Sequence, residues 1–379
     1  MKIVLVSGHA RSWDAGAALV YLNLEASLRG LGHEVVLLTE EDYLPPRTSI
    51  VMRRIFGAEW VRRRAAKELT GTDVVEVAGG LGWRLFRKLR DASPAGKRPL
   101  LAMRTHGLEF LDEQARFMEE VAGSIRLPLQ YKLVTRHWIN WQEFRSIALS
   151  DVMLCFTSRD VDAILLRGLK AESDVATTTW GVDPRYFRSR VYGHASGRLL
   201  WWGSWIERKG IAAIPRALEL LSRWVPGVTL SIGGSLLPPD RILAAFPAHL
   251  RSRVTILPFA SRDEHVEILA QHDVFLFPSL SEGFGNALAE AMASSTPCVT
   301  TGTGMAADWL EHGRNCLLVP MGSSTGLARA IQRLLGDEAL RRTLGEAAQL
   351  TARQWSWERF ARETAARYAS GLAQMTRRD

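Results

Sequence analysis

The sequence predicts an α/β protein of two domains, each a parallel sheet flanked by helices. Three observations carry this. The chain has 379 residues, room for two separate hydrophobic cores. Short apolar runs of strand length recur along it, each followed by a stretch of helical character, which is the rhythm of βα units. One such step is explicit: the apolar run Val274-Phe275-Leu276-Phe277-Pro278, then Ser281-Glu282-Gly283-Phe284-Gly285-Asn286, then the helix formers Ala287-Leu288-Ala289-Glu290-Ala291-Met292-Ala293.

A strand, a glycine-bearing turn and a helix bring backbone N–H groups and the positive end of a helix dipole to one place, which suits a phosphate. Glu282 and Glu290, eight positions apart, add carboxylates that accept hydrogen bonds from sugar hydroxyls. The same step is also common as plain packing. From these residues alone, ligand binding and packing both stay open.

In the first half, Ile3-Val4-Leu5-Val6 reads as the first strand. A helix opens at Asp14-Ala15-Gly16-Ala17-Ala18 and runs to about Leu31, with Gly30 and Gly32 as stop signals. Val35-Val36-Leu37-Leu38 is the second strand. This βαβ start lacks Gly-x-Gly-x-x-Gly, which argues against a dinucleotide-dependent dehydrogenase. The connection from Ser7 to Gly16 is long for a βα loop, as in loops that line sites. Further strands are predicted at Val74–Val77, Pro99–Met103 and Val152–Phe156, and the span from Leu108 to Ser150 is mainly helical, interrupted at Pro128. His106, in Arg104-Thr105-His106-Gly107, falls at a strand's C-terminal end, where α/β proteins keep ligand-facing groups; a structural histidine is the alternative. Asp160 and Asp162 stand two apart at a helix start, so they point to different sides and read as charges favourable to a helix N-terminus, not as metal ligands.

Thr177 to Pro184 closes the first domain, and the turn-rich stretch through Gly197 is the predicted linker. The domains are then 1–190 and 198–354, with a last helix from about Trp355 to Leu372 within the segment 355–379. The second series of strands is Leu199–Trp202, Thr229–Ile232, Val254–Leu257, Val274–Phe277, Pro297–Thr300 and Leu317–Val319. Arg208 and Lys209, between the first of these and its helix, suit a diphosphate or a solvated loop.

Composition excludes some classes. Apolar residues make up 47% and charged residues 23%, ordinary for a globular chain, and no run reaches the roughly 20 apolar residues of a spanning helix. The apolar part of the N-terminus is too short for a signal peptide. Three widely spaced cysteines in apolar settings (Cys155, Cys298, Cys316) read as reduced core residues of a cytoplasmic protein. The net charge of +8 is uneven: from Arg47 to Lys67 seven Arg or Lys face one acid, Glu59. Interleaved with Phe56 and Trp60, that segment suits an anionic membrane surface or a solvated helix face. No nucleic-acid-binding motif accompanies it, so nucleic acid is not an expected partner.

Together these stretches resemble the retaining glycosyltransferases of family four, over nearly the whole chain and in order. Glu282 to Glu290 matches that family's Glu-x7-Glu motif within Pro-Ser-x-x-Glu-Gly-Phe-Gly. Gly203 through Lys209-Gly210 has the spacing of its Gly-Arg-…-Lys-Gly loop, Gly181-Val182-Asp183 looks like its inter-domain Gly-Val-Asp, His106 lies where it has a histidine, and Gly16 falls in its glycine loop. The resemblance implies the GT-B fold: two Rossmann-like domains facing each other across a cleft, with the C-terminal helix crossing back to the first domain.

It also implies an activity, transfer of a sugar from a nucleotide-diphosphate sugar to a hydroxyl with retention. The acceptor would attack on the leaving-group side, and the leaving phosphate would help remove its proton. Neither metal nor cofactor is expected. By the same resemblance Lys209 holds the diphosphate, Glu282 meets the transferred sugar, Glu290 binds the ribose, and backbone from Gly283, Phe284, Gly285, Asn286 and Ala287 contacts sugar and phosphate. His106 would sit over the sugar as the third catalytic residue beside Lys209 and Glu282, and Gly16 would contact the donor. The family's loop arginine is Ser204 here, and Arg208 is the nearest replacement. The acceptor implied is a saccharide or lipid-linked saccharide of envelope or polysaccharide synthesis, handled by a cytoplasmic or peripheral enzyme. Alternatives are a small soluble aglycone, for which Trp138, Trp141, Trp180, Trp201, Trp202 and Trp205 offer stacking surfaces, or a non-catalytic sugar-nucleotide-binding protein.

Overall fold

The computed structural model describes residues 1–11, 16–121, 123, 125–235 and 237–378. The chain divides into two compact units. The first comprises Met1–Glu113, Leu127–Gly181 and Ser356–Asp379, the second Gln114–Arg126 and Val182–Trp355.

The first unit holds a six-stranded sheet made of β1 (Lys2–Val6), β2 (Glu34–Leu38), β3 (Val74–Ala78), β4 (Leu100–Arg104), β5 (Val152–Cys155) and β6 (Val175–Thr177). Their order is β2-β1-β3-β4-β5-β6, and every pairing is parallel, with Val4 opposite Val36 on one side and Val75 on the other. β3 and β4 are buried along their whole length. That explains why, apart from Glu76 and Arg104, they read as apolar runs and not as alternating strands. The order reverses between β1 and β3, so the loops after those strands diverge at a switch point.

The second unit repeats the plan. β7 (Arg198–Trp202), β8 (Thr229–Gly233), β9 (Val254–Ile256), β10 (Val274–Phe277), β11 (Cys298–Thr300) and β12 (Leu317–Leu318) lie in the order β12-β11-β10-β7-β8-β9, again all parallel. Its switch point lies between β7 and β10. Leu199, Leu230, Val274 and Val299 line one core with Ile214, Leu218 and Ile331 from the covering helices.

Three features differ from the sequence reading. The boundary falls at Gly181–Val182, not near 190. The stretch beyond it is bound to the second unit: Tyr186 Oη lies 3.0 Å from His265 Nδ1, Arg190 donates to the carbonyls of Leu269 and His272, and Tyr192 donates to the Ser295 carbonyl at 2.6 Å. β6 was missed because only Val175 and Ala176 of its three residues are apolar enough to signal it. The last helix is Trp357–Arg378, with Trp355 left in the second unit. In the first unit Tyr368 of that helix donates to Glu76 Oε2 at 2.6 Å, and Gly371 packs against Leu100 and Val152.

The three cysteines are free and buried. Asp160 and Asp162 do part as their spacing predicts. The helix Ser158–Leu166 is capped by Thr157, whose hydroxyl accepts from Asp160 N at 3.2 Å; Asp160 is buried and Asp162 exposed. Among the described residues no group of His, Cys, Asp or Glu is placed to hold a metal ion. No helix among them is long and apolar enough to cross a membrane.

Candidate active site

A cluster of charged side chains lies in the second unit, at the C-terminal ends of β7 and β10, the switch point of the sheet. The loop after β7 ends in a short helical turn, Glu207–Lys209, and closes on Gly210 in the left-handed conformation, φ 67°. A Cβ at Gly210 would stand 1.8 Å from the Pro278 carbonyl oxygen, so only glycine lets this loop meet the loop after β10. Backbone bonds then join the two loops: Leu280 N and Ser281 N both donate to the Arg208 carbonyl, at 2.8 and 3.3 Å.

That junction sets the side chains. Lys209 Nζ lies 2.5 Å from Glu282 Oε1, Ser279 Oγ donates to the same oxygen at 2.8 Å, and Arg208 Nη1 stands 3.5 Å from Glu282 Oε2. Arg208 also donates to the Ser281 carbonyl at 3.3 Å. Burial opposes ionisation of Glu282, yet the charges of Lys209 and Arg208 and the bonds from Lys209 and Ser279 outweigh it, and its pKa is held below the ordinary value. Glu282 is therefore an ionised carboxylate with Lys209 at one oxygen and Arg208 at the other. The helix Asn286–Ala293 begins directly after, entered through Gly285 at φ 109°, so the N–H ends of Asn286 and Ala287 stand at its positive pole. Phe284 is buried with its ring 5.5 Å from Trp355, and its carbonyl accepts from Met305 N. Gly283 completes the turn. Ser204, where the resembling family has arginine, lies in the β7 loop and accepts from Ile206 N through its carbonyl.

Glu290, on the second turn of the helix, has different surroundings. Its Oε2 lies 3.6 Å from His265 Nδ1. Burial pushes the Glu290 carboxyl up to about 8; Arg262 partly offsets this and Asp183 adds to it. Burial likewise depresses His265 to about 3. At neutral pH the contact therefore joins a largely protonated acid to a neutral imidazole and is not an ion pair. Trp202, the last residue of β7, stacks on His265 at 4.1 Å and 24°. It lies so close over Gly233 that a Cβ there would be 2.1 Å from the indole. Asp183 bridges Arg185 and Arg262 at 2.8 and 3.1 Å. The sequence singles out Glu290, Asp183 and Trp202 one by one, but not their meeting with Arg262 and His265, since these residues come from separate βα units and only the glycine pair Gly233-Gly234 after β8 marks the close approach.

An acid whose folded pKa lies above its ordinary value keeps its proton in the folded state where the unfolded chain has lost it. Stability therefore falls as pH rises from the ordinary glutamate value of 4.5 through about 8, by at most about 1.4 kcal/mol per pH unit for Glu290. Glu290→Gln flattens that decline, measured as melting temperature between those limits. An unchanged slope would show that Glu290 is ionised in the folded protein.

In the first unit His106 follows β4. Its ring lies among Tyr21, Phe156, Trp180 and His9, at 5.5, 5.7, 6.5 and 6.5 Å. Burial, then the charges of His9 and Arg104, lower it to about 3, so the imidazole is neutral. Neither ring nitrogen has a hydrogen-bond partner among the described residues. Gly16 is the first residue of the helix Gly16–Gly30, whereas Asp14 and Ala15, the expected helix start, lie outside the described residues. Of the tryptophans singled out, Trp180, Trp201 and Trp205 are core residues, while Trp141 is 41% exposed.

The basic segment Arg47–Lys67 forms the helix Ile50–Ala65. Its densest cations are neutralised locally: Arg62 and Arg63 pair with Glu59 at 2.5 and 2.9 Å, and Arg64 with Glu68 at 2.6 Å.

Known proteins place this architecture. Sucrose-phosphate synthase from Thermosynechococcus elongatus superposes with a TM-score of 0.79 over 99% of this chain and 100% of that one, at 20% identity. HepE from Anabaena, solved with UDP and glucose, gives 0.69 over 98% and 100%, at 18% identity. The fold is therefore that of the GT-B glycosyltransferases. Residues 196–337, most of the second unit, match the family model described as glycosyl transferases group 1. N-acetyl-alpha-D-glucosaminyl L-malate synthase of Bacillus anthracis is 37% identical over 115 residues, which are 30% of this chain and 29% of that protein. The chain spans from 29% to 49% of the length of the first curated relatives it matches.

Proposed function

We propose that the chain is a retaining, metal-independent glycosyltransferase that moves a sugar from a nucleotide diphosphate to a hydroxyl of a saccharide or lipid-linked acceptor in envelope or polysaccharide synthesis. The observation that carries this is the Lys209–Glu282–Arg208 cluster at the β7/β10 switch point, beside the start of the helix Asn286–Ala293. Two cations and a helix N-terminus stabilise a diphosphate and the charge that grows on it as the sugar–phosphate bond breaks. Lys209 has three N–H donors, so it can keep Glu282 while turning another to a phosphate oxygen. Glu282, ionised and fixed by Ser279, accepts from sugar hydroxyls. Arg208 supplies the guanidinium that Ser204 does not. Glu290 in its protonated form both donates and accepts, as a pair of ribose hydroxyls requires. His106, neutral, offers one donor and one acceptor to a saccharide hydroxyl. With positive charge supplied by side chains, the reaction needs no metal, and the departing phosphate oxygen is the base for the acceptor proton.

The similarity to glycosyl transferases group 1, and to HepE with its UDP and glucose, supports this reading and puts uridine nucleotides first in the test. Thermal stability is followed during titration with nucleotides and nucleotide sugars. One nucleotide sugar is expected to stabilise the protein by about 2.7 kcal/mol at a hundred times its Kd. A flat response across the panel sinks the proposal, and a shift without turnover on any hydroxyl acceptor leaves a binding protein instead.

A further inference from the structure

The first unit carries a surface that includes none of the groups assigned above to the reaction. The helix Ile50–Ala65 turns its buried face inward through Gly57, Ala58, Val61 and Ala65. Its opposite face, in the first two turns, is apolar and open: Val51 is 54% exposed, Met52 44%, Ile55 43% and Phe56 43%. A helix normally keeps polar residues there, so this face lacks a partner within the unit. The same surface continues onto the next elements. Trp138 Nε1 and Gln142 Nε2 both donate to the Arg54 carbonyl at 2.9 Å, and the turn preceding Trp138 exposes Leu133 and Val134. Trp138 stacks on Trp141 at 5.1 Å, and Trp141 meets Trp83 edge-on at 4.9 Å.

Trp83 in turn lines an open depression of about 700 Å³ between the helices Ile50–Ala65 and Trp83–Ala92. Arg62, Arg84, Arg87 and Lys88 line it against two carboxylates, Glu59 and Asp91. Glu59 is shared among Arg62, Arg63 and Arg84, so one carboxylate balances three guanidiniums. Lys88 is exposed and has no acidic partner among the described residues, and the buried Trp83 Nε1–H has no acceptor among them. From Met52 to Arg62 is ten residues, about 15 Å along a helix. Apolar side chains with Arg53 and Arg54 among them at the start of the helix, indole rings beside it and the cation-lined depression toward its far end thus succeed one another. A bilayer presents the same order, from acyl region through interface to phosphate.

We propose that this face docks on an anionic phospholipid membrane, with Val51, Met52, Ile55 and Phe56 entering the acyl boundary and the Arg84–Arg87–Lys88 depression holding lipid phosphates. It deepens the proposed function, since it rests on that reading for its purpose: a lipid-linked acceptor would be met at this surface. The occupant is assigned by charge, because a second copy of this chain would bring the same cations against themselves.

The test is co-sedimentation of the full chain with vesicles of phosphatidylcholine alone or mixed with phosphatidylglycerol, at low and high salt. Binding to the mixed vesicles is expected, weakened by salt and absent with phosphatidylcholine alone. Ile55→Ser with Phe56→Ser, and separately Arg87→Glu with Lys88→Glu, each lower the partition coefficient about tenfold or more, with unchanged melting temperature because all four side chains are exposed. A chain that stays in the supernatant with both vesicles at low salt overturns the proposal, as do variants that bind like the unmodified chain. A self-associated chain that Phe56→Ser dissociates, without vesicle binding, shows that a second copy covers the face and also overturns it. The nucleotide-induced thermal shift is read on the same variants and stays unchanged, so loss of membrane binding and failure of the transferase reading are seen separately.

Discussion

Lys209→Ala lowers turnover about 10²- to 10³-fold, the usual effect of removing one preorganised group that meets charge only as it develops. Two consequences of the geometry add to this. The lysine nitrogen lies 2.5 Å from Glu282 Oε1, and Lys209 is the foremost charge holding that buried carboxyl below its ordinary value. Without it, burial prevails and the pKa of Glu282 rises. Glu282 in the variant then takes up a proton more readily, so the ratio of its turnover to that of the unmodified protein climbs with pH. Lys209→Arg keeps the charge and recovers part of the loss, but a planar fork replaces three rotatable donors. The measurement is kcat and KM for the donor across pH at saturating acceptor. A kcat for Lys209→Ala within a few-fold of the unmodified value would remove the cluster from the chemistry. A change confined to KM would make Lys209 a binding group only.

The cluster's members were legible in the sequence because the signals are local. Gly210, Gly283 and Gly285 mark turns, and apolar runs precede and follow them. Most strands were legible for the same reason: in a parallel sheet covered on both faces, β10 and β4 up to Met103 read as unbroken apolar runs, and β3 as one interrupted only by Glu76. What could not be read was pairing across βα units. Arg62, Arg63 and Arg64 looked like exposed positive charge, yet Glu59 and Glu68 on neighbouring turns absorb much of it. The neighbouring apolar face became visible only once the helix had a buried side. Trp202, Tyr186 and, from one helix, Arg262 and His265 meet around Glu290 from three separate stretches of chain. Spacing along the chain carries no trace of such a meeting, so the carboxyl's displaced pKa was invisible as well. The linker was read on through Gly197 because residues after Gly181 are polar and turn-rich, while their side chains are committed to the second unit.

Arg104→Met destabilises the first unit by about 3–5 kcal/mol, the cost of leaving a fully buried carboxylate without its cation. Arg104 and Glu76 are each 0% exposed and bond bidentately, at 2.8 and 3.0 Å. The remaining guanidinium donors reach Thr178 Oγ1 at 2.9 Å and Thr364 Oγ1 at 3.1 Å, and Tyr368 Oη donates to Glu76 at 2.6 Å. Since Thr364 and Tyr368 belong to the helix Trp357–Arg378, the pair fastens the end of the chain to β3 and β4. Denaturant unfolding with a probe in each unit separates the effect, because a two-unit chain need not unfold in one step. The first unit's transition moves to lower denaturant while the second unit's stays. Glu76→Leu combined with Arg104→Met costs less than the single change, since no charge is then stranded. A single variant within about 1 kcal/mol of the unmodified protein would mean that water or another cation reaches Glu76, contrary to its burial. The pair also bears on the site: Arg104 is one of the charges that depress His106, so Arg104→Met raises the imidazole pKa from about 3 toward its ordinary value. Burial, the larger cause, remains, and the imidazole stays neutral at pH 7. A fall in stability with little change in the pH profile of turnover therefore identifies the Glu76–Arg104 pair as the anchor of the C-terminal helix and not as part of the catalytic apparatus.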